Sequence, residues 1–108
     1  MIENKTYNIL MIAKPEEEVF YLKNYLDKSI IKTKVTSVYS TTDAIKELKK
    51  QKYHIIFLDL GKPGETASTK IDQILSFSPS IPTVILSNKT DLPFSISCLE
   101  RGASDYLI

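Results

Sequence analysis

Residues 55–59 read Ile55-Ile56-Phe57-Leu58-Asp59, four consecutive apolar side chains that stop at a carboxylate. An apolar run this short, rich in β-branched and aromatic residues, predicts a strand buried on both faces, as in a parallel sheet. Gly61, Pro63 and Gly64 follow it as a loop signal. The pattern recurs on both sides. Upstream, Tyr7-Asn8-Ile9-Leu10-Met11-Ile12-Ala13 is equally dense and is bounded by Lys14-Pro15. Downstream, Thr83-Val84-Ile85-Leu86 is a third buried strand. Lys34-Val35-Thr36-Ser37-Val38-Tyr39 is β-branched but more polar, which suits a sheet edge. Ser104-Asp105-Tyr106-Leu107-Ile108 begins a fifth strand.

Helical spacing fills the intervals. Val19, Leu22 and Leu26 recur three and four apart, with Glu16, Glu17 and Glu18 in the first turn and Lys23 and Lys28 later, as the helix dipole favours. Ser40 opens a second helix, with Asp43 three residues on as a capping box. Ala44, Ile45 and Leu48 form its inner face, and Lys46, Lys49, Lys50 and Lys52 a basic outer one, read as a solvated helix face, with a site for an acidic partner as the alternative. Ile71, Ile74 and Leu75 mark a third helix, closed by Pro79 and Pro82. Thr90 or Asp91 caps a fourth, with Pro93 in its first turn. There Ile96 and Leu99 are expected to face inward, Arg101 to lie in the last turn and Gly102 to supply a left-handed stop.

Strands alternating with helices predict an α/β fold: a doubly wound, five-stranded parallel sheet with helices on both faces. The chain is expected to be a single domain over residues 1–108. It stops at the fifth strand with the last helix missing, so one sheet face is left to the first helix alone. The natural protein is therefore expected to continue past Ile108, the domain being truncated at its C-terminal end.

Composition narrows the function classes. The 108 residues carry 14 Lys plus Arg against 13 Asp plus Glu, a net charge of +1 that leaves no footprint for nucleic acid. A single Cys excludes an intramolecular disulfide framework and a Cys-based zinc site, and a single His excludes a His-cluster metal site. No apolar run is long enough to span a membrane, and Met1-Ile2-Glu3-Asn4-Lys5 lacks the apolar stretch of a signal peptide. A soluble cytoplasmic domain is the default expectation. Cys98 reads as a small packing residue, and His54 stands before a strand without a second ligand in view.

In open parallel sheets, ligands bind at the carboxyl ends of the strands. Asp59, the Ala13-Lys14 pair and Ser87 stand at three such ends. A carboxylate ending a central apolar strand is costly unless it is solvated, paired or functional. Asp59 is therefore either a solvated loop residue or helix cap, or a nucleophilic or metal-binding carboxylate.

At these residues the sequence resembles a response-regulator receiver domain of two-component signalling. The resemblance rests on His54-Ile55-Ile56-Phe57-Leu58-Asp59-Leu60-Gly61-Lys62-Pro63, on Ile81-Pro82-Thr83-Val84-Ile85-Leu86-Ser87 and on Gly102-Ala103-Ser104-Asp105-Tyr106-Leu107-Ile108. It implies a flavodoxin-like strand order, 2-1-3-4-5, and a phosphorelay role. Asp59 matches the aspartate that accepts a phosphoryl group from a phosphohistidine. Ser87 matches the hydroxyl residue that hydrogen-bonds the phosphoryl oxygen, and Tyr106 the switch aromatic. The implied partners are a histidine kinase or phosphotransfer protein and an output domain or partner protein, with homodimerisation as a further mode. The resemblance implies no enzyme acting on a separate substrate.

Mg²⁺ is the implied cofactor, and here the chain departs from the family. The acidic pair that holds the ion after the first strand is replaced by Ala13 and Lys14, so Asp59 is left as a weak metal ligand. Glu16, Glu17 and Glu18 lie close in sequence, but the following helix is expected to carry them away. The Lys14 ammonium either pairs with Asp59 in place of the cation or points to solvent. The family's lysine would fall just after Ile108, and Asn88 stands where a small residue is usual. The alternative is a pseudo-receiver, the same fold used as a phosphorylation-independent interaction or dimerisation module. Asn88-Lys89-Thr90-Asp91 matches the guanine-recognition signature of GTPases. Without glycines after the first strand, however, no phosphate cradle forms.

Overall fold

The computed structural model describes residues 5–13, 24, 28, 32–61, 66–87 and 92–107. These form β1 (Tyr7–Ile12), β2 (Thr33–Val38), α1 (Thr41–Lys50), β3 (Ile55–Gly61), α2 (Ala67–Phe77), β4 (Thr83–Ser87), α3 (Leu92–Glu100) and β5 (Asp105–Leu107). The helix expected over Val19, Leu22 and Leu26 lies outside the described residues. The five strands make one sheet, ordered β2-β1-β3-β4-β5, and every pairing is parallel. The more polar β2 is an edge strand, as its composition suggests.

The central strands are apolar because both their faces are covered. Leu10, Ile12, Ile56, Leu58 and Ile85 point to one face, where they meet Ala44 of α1, Ile71 and Ile74 of α2 and Cys98 of α3. Ile9, Met11, Ala13, Phe57 and Val84 point to the other. The alternation follows from the two-residue period of a strand. Burial also pushes the Cys98 thiol above its ordinary range, consistent with an inert packing role.

Local chemistry sets the helix ends. Ser40 caps α1: its Oγ accepts the Asp43 N–H at 3.1 Å. Gly102 ends α3 with φ +116°. Its N–H donates to the Leu99 carbonyl at 3.1 Å, and the Ala103 N–H donates to the Cys98 carbonyl at 3.1 Å. That pair of bonds is a Schellman motif. Arg101 stands just past the helix and pairs with Asp72 of α2 at 2.6 Å.

Two expectations are corrected. β3 does not end at Asp59. It runs through Asp59 to Gly61, because β4 continues to pair with it: Asp59 sits opposite Leu86 and Gly61 opposite Ser87, with a register shift between them. Gly61 thus belongs to the strand rather than to the loop. On α3, Ile96 and Leu99 face outward, 44% and 47% exposed. Phe94 and Cys98 take the inner positions instead. Apolar residues occur all round this helix, so spacing alone could not select a face. The larger Phe94 ring settles it by packing edge-on against Tyr106, centroids 5.9 Å apart.

Two polar contacts tie down the amino end of the sheet. His54 Nδ1 accepts the Asn8 N–H at 2.9 Å, while the His54 N–H donates to the Asn8 carbonyl at 2.8 Å. The Tyr53 hydroxyl donates to Glu47 Oε1 at 2.7 Å and accepts from Gln51 Nε2 at 2.7 Å. These hydrogen bonds, that of Tyr53 first, hold the Glu47 carboxyl below its ordinary range. A carboxyl lowered on folding adds stability above its unfolded value and loses it as pH falls through the folded one.

Two outcomes follow. Gly102→Ala is expected to cost about 1 kcal/mol through backbone strain. The new Cβ would meet Leu75 Cδ1 at an ordinary 3.8 Å. Urea unfolding should show a lower midpoint at unchanged slope. Tyr53→Phe is expected to destabilise the fold most near neutral pH, the gap from the wild type narrowing as Glu47 protonates. Melting curves across the acid range check this.

Candidate functional site

Parallel pairing brings the carboxyl ends of β1, β3, β4 and β5 to one pole of the sheet. Ile12 pairs with Leu58, so Ala13 follows β1 beside Asp59 at that pole. Ala13 is buried, and its N–H donates to the Val38 carbonyl at 2.9 Å. Asp59 is half-buried, where water can still reach a carboxylate. Ser87, the last residue of β4, is buried. Its register partner is Gly61, because the shift after Asp59 inserts Leu60 as an extra residue. Such a bulge re-aims side chains where a strand ends.

Tyr106 lies one strand further on, half-buried on β5 and opposite Ile85 in register. Its ring meets the edge of Phe94, so β5 and α3 are coupled through two aromatics. Phe94 is the contributor that sequence reading missed. Its signal was its place one turn before buried Cys98, on the same stripe of α3. The pole thus offers a half-buried carboxylate, a hydroxyl on the adjacent strand and, beyond it, an aromatic pair tied to a helix. Lys14 and Asn88 lie outside the described residues.

A divalent cation of the Mg²⁺ type wants several hard oxygens, including one or two carboxylates. Among the described residues no three of His, Cys, Asp and Glu gather into such a group. Asp59 is accompanied by the methyl group of Ala13 rather than by a second carboxylate. The described donor set therefore does not fit a Mg²⁺ cage.

Residues 9–108 match the family described as the response regulator receiver domain. The C4-dicarboxylate transport transcriptional regulatory protein DctD of Rhizobium meliloti (strain 1021) is 26% identical over 73 residues. That match covers 68% of this chain but 16% of DctD, so the chain spans a small part of that relative's length. A response regulator from Thermotoga maritima superposes with a TM-score of 0.83 at 23% identity, covering 95% of this chain and 84% of that one. A response regulator from Burkholderia pseudomallei was solved with a phosphorylated aspartic acid, calcium ion and citrate. It gives a TM-score of 0.75 at 20% identity, over 94% of this chain and 58% of that one. At these identities the two structures establish the shared fold.

Supplying the missing carboxylates tests the metal reading. Ala13→Asp combined with Lys14→Asp is expected to strengthen Mg²⁺ binding at least about tenfold, since each added carboxylate is a hard ligand for the ion. Calorimetric titration checks this, with Asp59→Asn in the same background expected to abolish the gain. An unchanged affinity would remove Asp59 from the metal site.

Proposed function

The chain belongs to the response regulator receiver family of two-component signalling, and from that premise we propose that Asp59 is its phosphoryl acceptor. The observation that carries the reading is the position of Asp59. It is the half-buried carboxylate on the central strand β3, at the pole where buried Ser87 ends the neighbouring strand.

The proposed chemistry is a single group transfer. An Asp59 carboxylate oxygen attacks the phosphorus of a phosphohistidine on a histidine kinase or phosphotransfer protein. The new O–P bond forms as the N–P bond breaks. The electron pair stays on the donor imidazole, which takes up a proton. The Ser87 hydroxyl donates to a phosphoryl oxygen. Its shift toward the phosphoryl group lets Tyr106 turn against Phe94 and carry the change to α3. Asp59 is consumed in the step and regenerated by hydrolysis, so the chain acts as a signalling switch rather than as an enzyme on a separate substrate. The output partner responds to the altered β5–α3 surface, and a cytoplasmic location accompanies such a kinase. Among the described residues no helix is long and apolar enough to cross a membrane.

The response regulator Rcp1 was solved in a Mn²⁺-bound form, and the receiver resemblance implies Mg²⁺ beside the acceptor carboxylate. Two anions meeting at phosphoryl transfer ordinarily need a cation between them. Ala13 beside Asp59 favours a second reading on this ground. In it the chain is a pseudo-receiver, with the same sheet used for protein interaction or dimerisation without phosphotransfer.

Incubation with a small-molecule phosphodonor and Mg²⁺, followed by intact mass measurement, separates the readings. The expected result is one phosphoryl adduct that Asp59→Asn eliminates. Absence of the adduct, with a standard receiver labelling in parallel, would establish the pseudo-receiver instead.

A further inference from the structure

The pole opposite Asp59 has its own character. Every strand of a parallel sheet begins there, and lysines collect at the beginnings of β1, β2 and β3. Lys5 precedes β1, Lys32 precedes β2, Lys34 is its second residue, and Lys52 precedes β3. Lys49 and Lys50 close α1. The strand starts are stitched together, with the Tyr7 N–H donating to the Lys32 carbonyl at 2.9 Å and Asn8 Nδ2 to the Lys52 carbonyl at 3.4 Å. Lys34 and Lys50 both act on the Glu47 carboxyl. Glu47 is itself occupied by the Tyr53 hydroxyl and Gln51 amide.

A cavity of about 580 Å³ opens at this pole, between the end of α1 and the turn before β4. Leu48, Tyr53 and Ile81 make its apolar floor, and Lys49, Lys50 and Lys52 stand around it. The volume is that of an ordinary ligand site. Lysines in a last helical turn answer the helix dipole, which accounts for Lys49 and Lys50. It does not account for Lys52, which lies beyond the helix, or for the concavity. Among the described residues none of the three makes an ion pair; the Lys49 ammonium lies over the half-exposed Phe77 ring, 5.9 Å from its centroid.

We propose that this pocket docks an acidic peptide segment of a partner protein, an aliphatic side chain on the floor and flanking carboxylates on the lysines. Charge complementarity selects the acid, and Leu48 and Ile81 select the apolar residue. Nucleic acid fits less well: the Tyr53 ring is buried and offers no stacking face, and the net charge is +1. A membrane surface would want protruding apolar groups, whereas Leu48 and Ile81 are half-buried in the recess. The site lies across the sheet from Asp59 and does not depend on its phosphorylation.

The probe is a fluorescein-labelled peptide of alternating glutamate and leucine, titrated with the full chain and followed by anisotropy. Saturable, salt-sensitive binding is expected. It should weaken about tenfold or more in the Lys49→Glu, Lys50→Glu, Lys52→Glu variant and hold steady in the off-pocket Lys46→Glu, Lys70→Glu control. An all-glutamate peptide of equal charge should bind several-fold more weakly, since it leaves the floor empty. Amide shifts of the wild-type chain should map the peptide to residues 48–53 and 80–81, which decides the matter even if the triple variant misfolds. Equal losses in control and triple variant, shifts elsewhere, or tighter binding of a single-stranded oligonucleotide or an anionic vesicle would each overturn the proposal.

Discussion

Everything at the carboxyl pole depends on the parallel ladder that holds β3 between β1 and β4. Backbone groups along that ladder satisfy one another, so the side chains on both faces are free to be apolar, and Ile56, Phe57 and Leu58 are buried. A charge within such a strand would be desolvated without compensation. The first position that tolerates one is where the ladder with β1 has ended and solvent returns. Asp59 occupies that position, just past the Ile12–Leu58 pair and still paired with β4. The same ladder brings Ser87 to the pole and sets Tyr106 one strand beyond it, because register in a sheet is specified wherever a face is buried.

Parallel topology also separates the two ends of the domain chemically. At one end stand a carboxylate, a hydroxyl and an aromatic pair; at the other, lysines gather around an apolar recess. A near-zero net charge conceals this polarity, since composition sums over the chain while the sheet sorts residues by strand end. The Tyr53–Glu47–Gln51 network fixes the Glu47 carboxylate among the lysines, on which Lys34 and Lys50 also act.

How much of this was legible depends on whether the deciding interaction was local. The Ser40 cap, the Gly102 stop and the strand cores were readable, since each follows from a residue and its near neighbours. Asp59 and Ser87 were legible as strand-end residues because an apolar run breaks at each. Phe94 was not, because its partner Tyr106 lies twelve residues on and a helix apolar on every side offers no periodicity to read. The hydrogen bond from the Asn8 N–H to His54 spans 46 positions and leaves no pattern in either segment.

The sequence by itself therefore determined the alternation of strands and helices, the parallel sheet it implies, and the carboxylate that ends the apolar run of the central strand. These rest on burial periodicity and short-range capping, which each segment carries within itself. Only the tertiary structure decided that β3 continues through Asp59 to Gly61, that Phe94 and Cys98 rather than Ile96 and Leu99 face the core, and that distant Ile81 shares one recess with Lys49, Lys50 and Lys52. Each of those depends on a neighbouring strand, ring or turn that meets its partner only once the sheet is assembled.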